Sequence, residues 1–456
     1  MSDIAQRVFG DRHPSAGKEI SAGKEASVGK EASGAFFWLC AFYVVYCSRP
    51  EDWVPGLKYI PLAKITGIFA LLALLTSMGR TQRKFKDLPR EFSYLVALVG
   101  VLILSALFSP IWKGGALMST LDFAKVCVAW VLTFLLVTNF KRLRFIIYIQ
   151  AISVVVISAV SIIMGHNQPR LEGVIGGIYS NPNDLAFAVV LTLPFCLAFL
   201  LTSKSILMKL CWVAGMLIMG LTLVLTASRA GFITLVISGI VTLWHFGVKG
   251  RRPSLIASTL LVSVVLLIVA GGPLMRRMGA FVNRGDTEEE ARAYDSYEQR
   301  KFLMVKSLEC IAHYPILGVG VKNFQVYSGV WANVHMTYLE IAAEGGIPSL
   351  VLYLLFFGRA FSNLKMLRRR KDLDVHTVLF VGGLHSSMIG FVIGASFAPE
   401  AYQFFPYFSV AYTSALVATI AEQERGLEPA EDDAGVHRRS WDWRLNRKPG
   451  PATLAR

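Results

Sequence analysis

"DLAFAVVLTLPFCLAFLLTSKSILMKLCWVAGMLIMGLTLVLTASRAGFITLVISGI" runs from Asp184 to Ile240. Two apolar runs of about 20 residues and the start of a third follow one another with almost no loop. Helices of that length cross the hydrocarbon core of a bilayer and satisfy their own backbone polar groups there. The breaks between the runs are informative. The first is a Ser-Lys-Ser turn, with Lys204 and Lys209 beside it. The second, Thr-Ala-Ser-Arg-Ala-Gly, puts Arg229 between two apolar runs with no polar loop to receive it.

The same pattern extends outward over most of the chain. Twelve spans are expected, at about 34–47, 60–78, 92–109, 121–139, 143–164, 183–202, 206–226, 230–247, 254–272, 336–358, 376–396 and 402–421. The fold class is all-α, a polytopic helical membrane protein. Composition agrees: 54% of the 456 residues are hydrophobic and only 17% charged, too little polar surface for a large soluble protein. The net charge of +15 therefore belongs to membrane-flanking loops, and nucleic acid is not an expected partner. The six cysteines form no Cys-x-x-Cys and no Cys-His cluster, so small apolar packing residues are expected rather than disulfides or a zinc site.

Loop charge sets the orientation. "GRTQRKFKDLPRE", "FKRLR", "VKGRR" and "KMLRRRKD" follow spans 2, 4, 8 and 10, whereas the intervening short loops are poor in Lys and Arg. The positive-inside rule then places both termini in the cytoplasm. Residues 1–33, with the repeat "AGKEIS-AGKEAS-VGKEAS", have no apolar face and are expected to be a disordered cytoplasmic tail, with a short helix carrying Glu and Lys on its surface as the alternative. Residues 34–421 form the membrane domain, and 422–456 a cytoplasmic C-terminal tail. The first span is expected to act as an uncleaved signal anchor.

The outward stretches are "YCSRPEDWVPGLKYIP", "MGHNQPRLEGVIGGIYSNPND", the "TASRAG" junction, a long loop at 273–335 and a short loop near Pro399 and Glu400. Within the long loop, "DTEEEARAYDSYEQRKFLMVKSLECIAHYP" is expected to be helical, with Met304, Leu308 and Ile311 at helical spacing. Arg170, Arg229, Arg300 and His335 fall on this one side. Guanidinium groups present planar, bidentate donors to phosphate. Each residue also has a plain structural reading. Arg229 could snorkel or pair with a carboxylate, and Arg170 could pair with Glu172 or lipid headgroups. Arg300 could be a solvated helix-face residue, and His335 a polar residue at a helix start. Arg276 and Arg277 are expected to be interfacial anchors. Glu51, Asp52 and Asp184 are expected to be structural or positioning groups. Glu340 and Glu344 stand one helical turn apart on span 10.

Four segments occur in order: "YSNPNDLAFAVVLTLPF", "TASRAGFITLVISGI", "QRKFLMVKSLECIAHYPILGVGVKNF" and "HMTYLEIAAEGGIPSLVLYLLFF". Together they resemble the O-antigen ligase and polymerase superfamily of bacterial membrane glycosyltransferases, most closely over residues 165–360. The resemblance implies a metal-independent enzyme of the C-type architecture, with no cofactor, in the bacterial inner membrane with its active site facing the periplasm. The donor would be a glycan on undecaprenyl diphosphate. The acceptor would be lipid A-core, protein or a growing glycan, as in lipopolysaccharide or exopolysaccharide biosynthesis. Other polysaccharide-assembly proteins are candidate partners. The family's reactive groups correspond to Arg229, Arg300 and His335. Arg170, Asn181, Asn183, Asp184, Glu340 and Glu344 are expected to line the substrate site. The chain departs from the family where Met336 follows the histidine in place of Asn, and where Met304 stands in place of Trp.

Two other functions compete. A lipid-linked glycan flippase would distribute charge along a path through the bilayer and show inverted repeats, whereas the conspicuous charges here collect on one side. A non-catalytic scaffold in envelope assembly would tolerate loss of His335.

Overall fold

The computed structural model describes residues 34–78, 81–165, 170–171, 179, 181–270, 272 and 288–427. The N-terminal repeat, Glu172, Arg276, Arg277 and most of the C-terminal tail lie outside these residues. Every regular element among them is helical. Among the described residues nine helices are long and apolar enough to cross a membrane: α3 (Arg90–Leu107), α4 (Lys113–Leu136), α5 (Phe140–Gly165), α6 (Pro182–Thr202), α7 (Ile206–Leu225), α8 (Arg229–Val248), α12 (Thr337–Arg369), α13 (Val375–Gly394) and α14 (Phe404–Arg425). Three apolar helices are shorter: α1 (Gly34–Ser48), α2 (Leu62–Ser77) and α9 (Pro253–Val269). These twelve coincide in order with the twelve apolar runs of the sequence. The chain is a polytopic membrane protein.

Two further helices, α10 (Glu288–His313) and the short α11 (Phe324–Ser328), belong to the long loop, and single turns of helix lie at Pro50–Trp53 and Phe85–Asp87. The helical reading of that loop holds, but its buried face is Leu303, Ser307 and Cys310, while Met304 and Leu308 are exposed. The face is set by what α10 packs on. Leu303 and Cys310 join Val319, Phe324, Val334 and Ala343 in a core between α10, the following loop and the start of α12.

Helix α6 occupies the centre of the bundle, packed by α5, α7, α8 and α13. Small residues let these helices approach closely, as is usual where lipid supplies no hydrophobic drive. Gly390 of α13 lies against Ser238 of α8, and Gly394 against Phe187 of α6. Hydroxyls bridge the seams: Ser387 Oγ donates to the Leu191 carbonyl at 2.7 Å and Ser238 Oγ to that of Ser386 at 3.1 Å. On the other side, Tyr43 and Tyr46 of α1 meet Phe408, and Tyr412 donates to Gln150 at 2.7 Å. Arg83, one of the loop cations, is buried instead of solvated. It clasps the carbonyls of Phe134 and Val137 at 2.9 and 2.8 Å and Thr419 Oγ1 at 2.9 Å. By internal contacts the chain divides into two units, residues 1–419 and 420–456, and every site residue discussed below lies in the first.

Candidate functional site

The long loop is anchored by a deliberate break in α12. Gly346 has φ 76° and ψ 173°, and Pro348 follows inside the helix. Pro348 has no N–H, so the Glu344 carbonyl loses its usual helical donor. The freed carbonyls are taken up by the segment after α10. Val319 N donates to Ala343 O at 3.0 Å and Gly320 N to Glu344 O at 2.9 Å. Ser105 Oγ reaches Glu344 O at 2.7 Å, and Ile347 N turns back to Pro315 O at 2.8 Å. The close approach demands glycine: a Cβ on Gly346 would collide with the Ile316 carbonyl, and positive φ is itself unfavourable for other residues. The "EGGIP" and "PILGVG" motifs are thus two halves of one joint.

That joint fixes the start of α12. Met336 occupies the N-cap with no side-chain cap and packs into the loop core. Thr337 secures the helix instead. Its N–H donates to the carbonyls of Ala395 and Ala398 at 2.8 and 3.1 Å, its Oγ1 donates to Ala398 O at 2.7 Å, and Oγ1 accepts from Glu400 N at 2.9 Å. His335 stands just ahead, half-buried, with a buried Nδ1 that has no hydrogen-bond partner. Arg300 of α10 lies beside it. Burial first, and then the Arg300 charge, push the imidazole down to about 4. His335 is therefore a neutral base at physiological pH.

Beneath His335 runs a row of buried carboxyl groups. Glu340 Oε2 accepts from Ala401 N at 3.4 Å. Glu344 faces Glu340, the Tyr402 hydroxyl and the cation of Lys322. Glu400, on the loop between α13 and α14, is 4% exposed and hydrogen-bonds to Asp184 at the start of α6. Burial, with Asp184 and Glu340 nearby, holds Glu400 well above the usual carboxylate range, so it carries the proton of that bond. Asp184 and Glu400 line a small cavity with Tyr179, Phe187, Gln403 and Phe405. Asp184, Glu340 and Glu344, expected together from the sequence, are brought together. Glu51 and Asp52 are held elsewhere, both paired with Arg49, at 2.6 and 2.9 Å.

A second grouping forms where α6 and α8 begin side by side. Asn181 caps α6 by accepting from Asn183 N at 2.9 Å. Asn183 Oδ1 accepts from Ser228 Oγ at 2.7 Å, and Ser228 caps α8 through Gly231 N at 3.1 Å. Arg229 is the first residue of α8 and is 6% exposed, after a backbone reversal at Ala227 with φ 46°. Arg170 Nε donates to Thr226 O at 3.0 Å. Two helix N-termini and two arginines thus share one junction, an electropositive arrangement suited to an anion. Asp184 belongs to both groupings and connects the junction to the carboxyl row.

Residues 214–354 match the O-antigen ligase family model. The matched O-antigen ligase region begins in α7 and ends in α12. It contains Arg229, Arg300, His335, Glu340 and Glu344, and covers about a third of the chain. No match was found among curated proteins. Arg170, Asn181, Asn183 and Asp184 precede the O-antigen ligase region, and Glu400 and Tyr402 follow it. Glu400 and Tyr402 were not singled out as site residues from the sequence. The available signal was a carboxylate directly after Pro399 in a short loop between two spans. Among the described residues, no group of three or more His, Cys, Asp or Glu is arranged to hold a metal ion.

Proposed function

We propose that this protein transfers a glycan from undecaprenyl diphosphate to an acceptor hydroxyl on the periplasmic face of the bacterial inner membrane. It does so as a twelve-span, metal-independent glycosyltransferase of the C type. The acceptor is lipid A-core or protein for a ligase, or another lipid-linked glycan for a polymerase. The observation that carries the reading is the pairing of Arg300 with a neutral, unpartnered His335 at the start of α12, inside the O-antigen ligase region.

The chemistry follows from these groups. His335 takes the proton of the acceptor hydroxyl as general base. The acceptor oxygen bonds to the anomeric carbon while the bond from that carbon to the phosphate oxygen breaks. The lipid diphosphate leaves with the electron pair, and the charge that develops is met by the guanidinium groups of Arg229 and Arg300. Two cations supply what a metal would otherwise provide. Arg170, Asn181 and Asn183 shape the junction around Arg229, and Asp184, Glu340 and Glu344 face the sugar hydroxyls.

Arg229→Lys and Arg300→Lys test the diphosphate contact. Each keeps its charge but loses the bidentate fork. Transfer by purified protein in nanodiscs, with EDTA present, is expected to fall by about tenfold or more for each variant at unchanged protein level. Wild-type turnover by both would refute the specific contacts, and wild-type turnover abolished by EDTA would refute metal independence.

A further inference from the structure

At the opposite end of α12 lies a cluster that glycan transfer does not use. Helix α8 closes in a π-helical turn, Trp244–Val248, in which Lys249 N donates to Trp244 O at 3.0 Å. Such turns are rare and concentrate at functional sites. The turn presents His245 to α13, where Gly382 leaves room for its ring. His245 Nε2 meets His385 Nδ1 at 3.0 Å, and His385 Nε2 meets Arg368 Nη1 of α12 at 2.8 Å.

The proton positions along this chain follow from the arginine, which can only donate. His385 Nε2 accepts from Arg368, so its Nδ1 carries a hydrogen and donates to His245 Nε2. His245 Nδ1 is then also an N–H, and it has no partner in the structure. Lys249 brings a further positive charge to both rings. The side chains of Arg368 and Lys249 and the Nδ1 of His245 offer only donors. The carboxylates of the adjoining α12–α13 loop are already engaged: Asp372 pairs with Arg370, and Asp374 holds Thr377 N and Oγ1 at 2.9 and 2.7 Å. Arg252, three residues beyond Lys249, carries a buried Nη1 with no partner.

We propose that His245, His385, Arg368 and Lys249 form a binding site for the phosphate group of an anionic phospholipid. Donors without an acceptor call for an anion, and basic pockets between helices at the basic-loop face of a membrane protein take acidic headgroups. Trp244, half exposed beside the site, is the residue type that settles at headgroup depth. From the break at Gly346 the second segment of α12 runs on to Arg368, about 33 Å of helix, so this site is distinct from the glycan-transfer site.

The test uses purified full-length protein in detergent, titrated with short-chain phosphatidylglycerol or phosphatidylcholine while thermal unfolding is followed. Phosphatidylglycerol is expected to raise the unfolding temperature saturably and phosphatidylcholine is not. Arg368→Gln and Lys249→Gln are each expected to raise the half-saturating phosphatidylglycerol concentration by about tenfold. Lys249 is exposed, so its variant keeps the test available if Arg368→Gln does not fold. Equal stabilisation by the two lipids, or unchanged half-saturation in both variants, would overturn the proposal. So would an equal shift produced by inorganic phosphate alone, which would assign the site to a soluble anion.

Discussion

At the residue scale, the decisive pair is Arg300 and His335. A histidine near 6.5 would be partly protonated at neutral pH. Burial and Arg300 push His335 down to about 4, so it is already deprotonated at neutral pH, as the proposed base must be. The sign of the coupling gives a test. Removing the positive neighbour raises the imidazole pKa, so Arg300→Gln moves the acid limb of the pH profile of kcat/KM upward, from near 4 toward 6.5. A diphosphate bound at Arg300 offsets the same charge, so the acid limb of kcat for the wild type lies above that of kcat/KM. Residual activity of Arg300→Gln measured from pH 4 to 8 checks the first point. An unmoved limb would mean that burial alone sets the histidine.

At the element scale, α12 is two helical segments joined by a break that holds the long loop in place. The break depends on Gly346, whose φ of 76° and closeness to the Ile316 carbonyl exclude a side chain. Gly346→Ala is expected to destabilise the protein by about 2–4 kcal/mol, from left-handed strain plus displaced backbone hydrogen bonds. Gly358→Ala on the same helix, with open space at its Cβ position, is the matched control and is expected to stabilise slightly or change nothing. Thermal unfolding of the two variants side by side distinguishes a joint from a generic helix glycine. A loss of similar size in both would remove the special role of the break. The same joint explains how Met336 can follow the histidine: Thr337 anchors the helix through the loop after α13, so a side-chain cap is not required.

At the scale of the whole molecule, the twelve apolar runs were legible because burial in lipid imposes length and hydropathy directly on the sequence. Arg229 was legible for a related reason, since a cation between two spans has few uses. What escaped was tertiary. The buried face of α10 is Leu303–Ser307–Cys310 because its partners, Val319, Phe324 and Ala343, come from elsewhere in the chain. Helical periodicity alone favoured the neighbouring stripe of Met304 and Leu308. Glu400 escaped because its partner Asp184 lies more than 200 residues away, and a lone carboxylate in a short loop carries no spacing signal. Orientation rests on loop charge. A single cysteine at position 290, within α10, is expected to react in intact cells with a membrane-impermeant thiol reagent. Reaction only after permeabilisation would turn the site to the cytoplasm.

The central claim is that His335 removes the acceptor proton, and it is tested most directly by His335→Ala in a reconstituted transfer assay paired with donor binding. The variant is expected to insert, to bind the undecaprenyl-diphosphate-linked glycan as the wild type does, and to transfer it about 10²–10⁴-fold more slowly. Undiminished transfer by His335→Ala, with donor binding intact, would contradict the role of His335 and leave the proton to the carboxyl row of Glu340, Glu344 and Asp184.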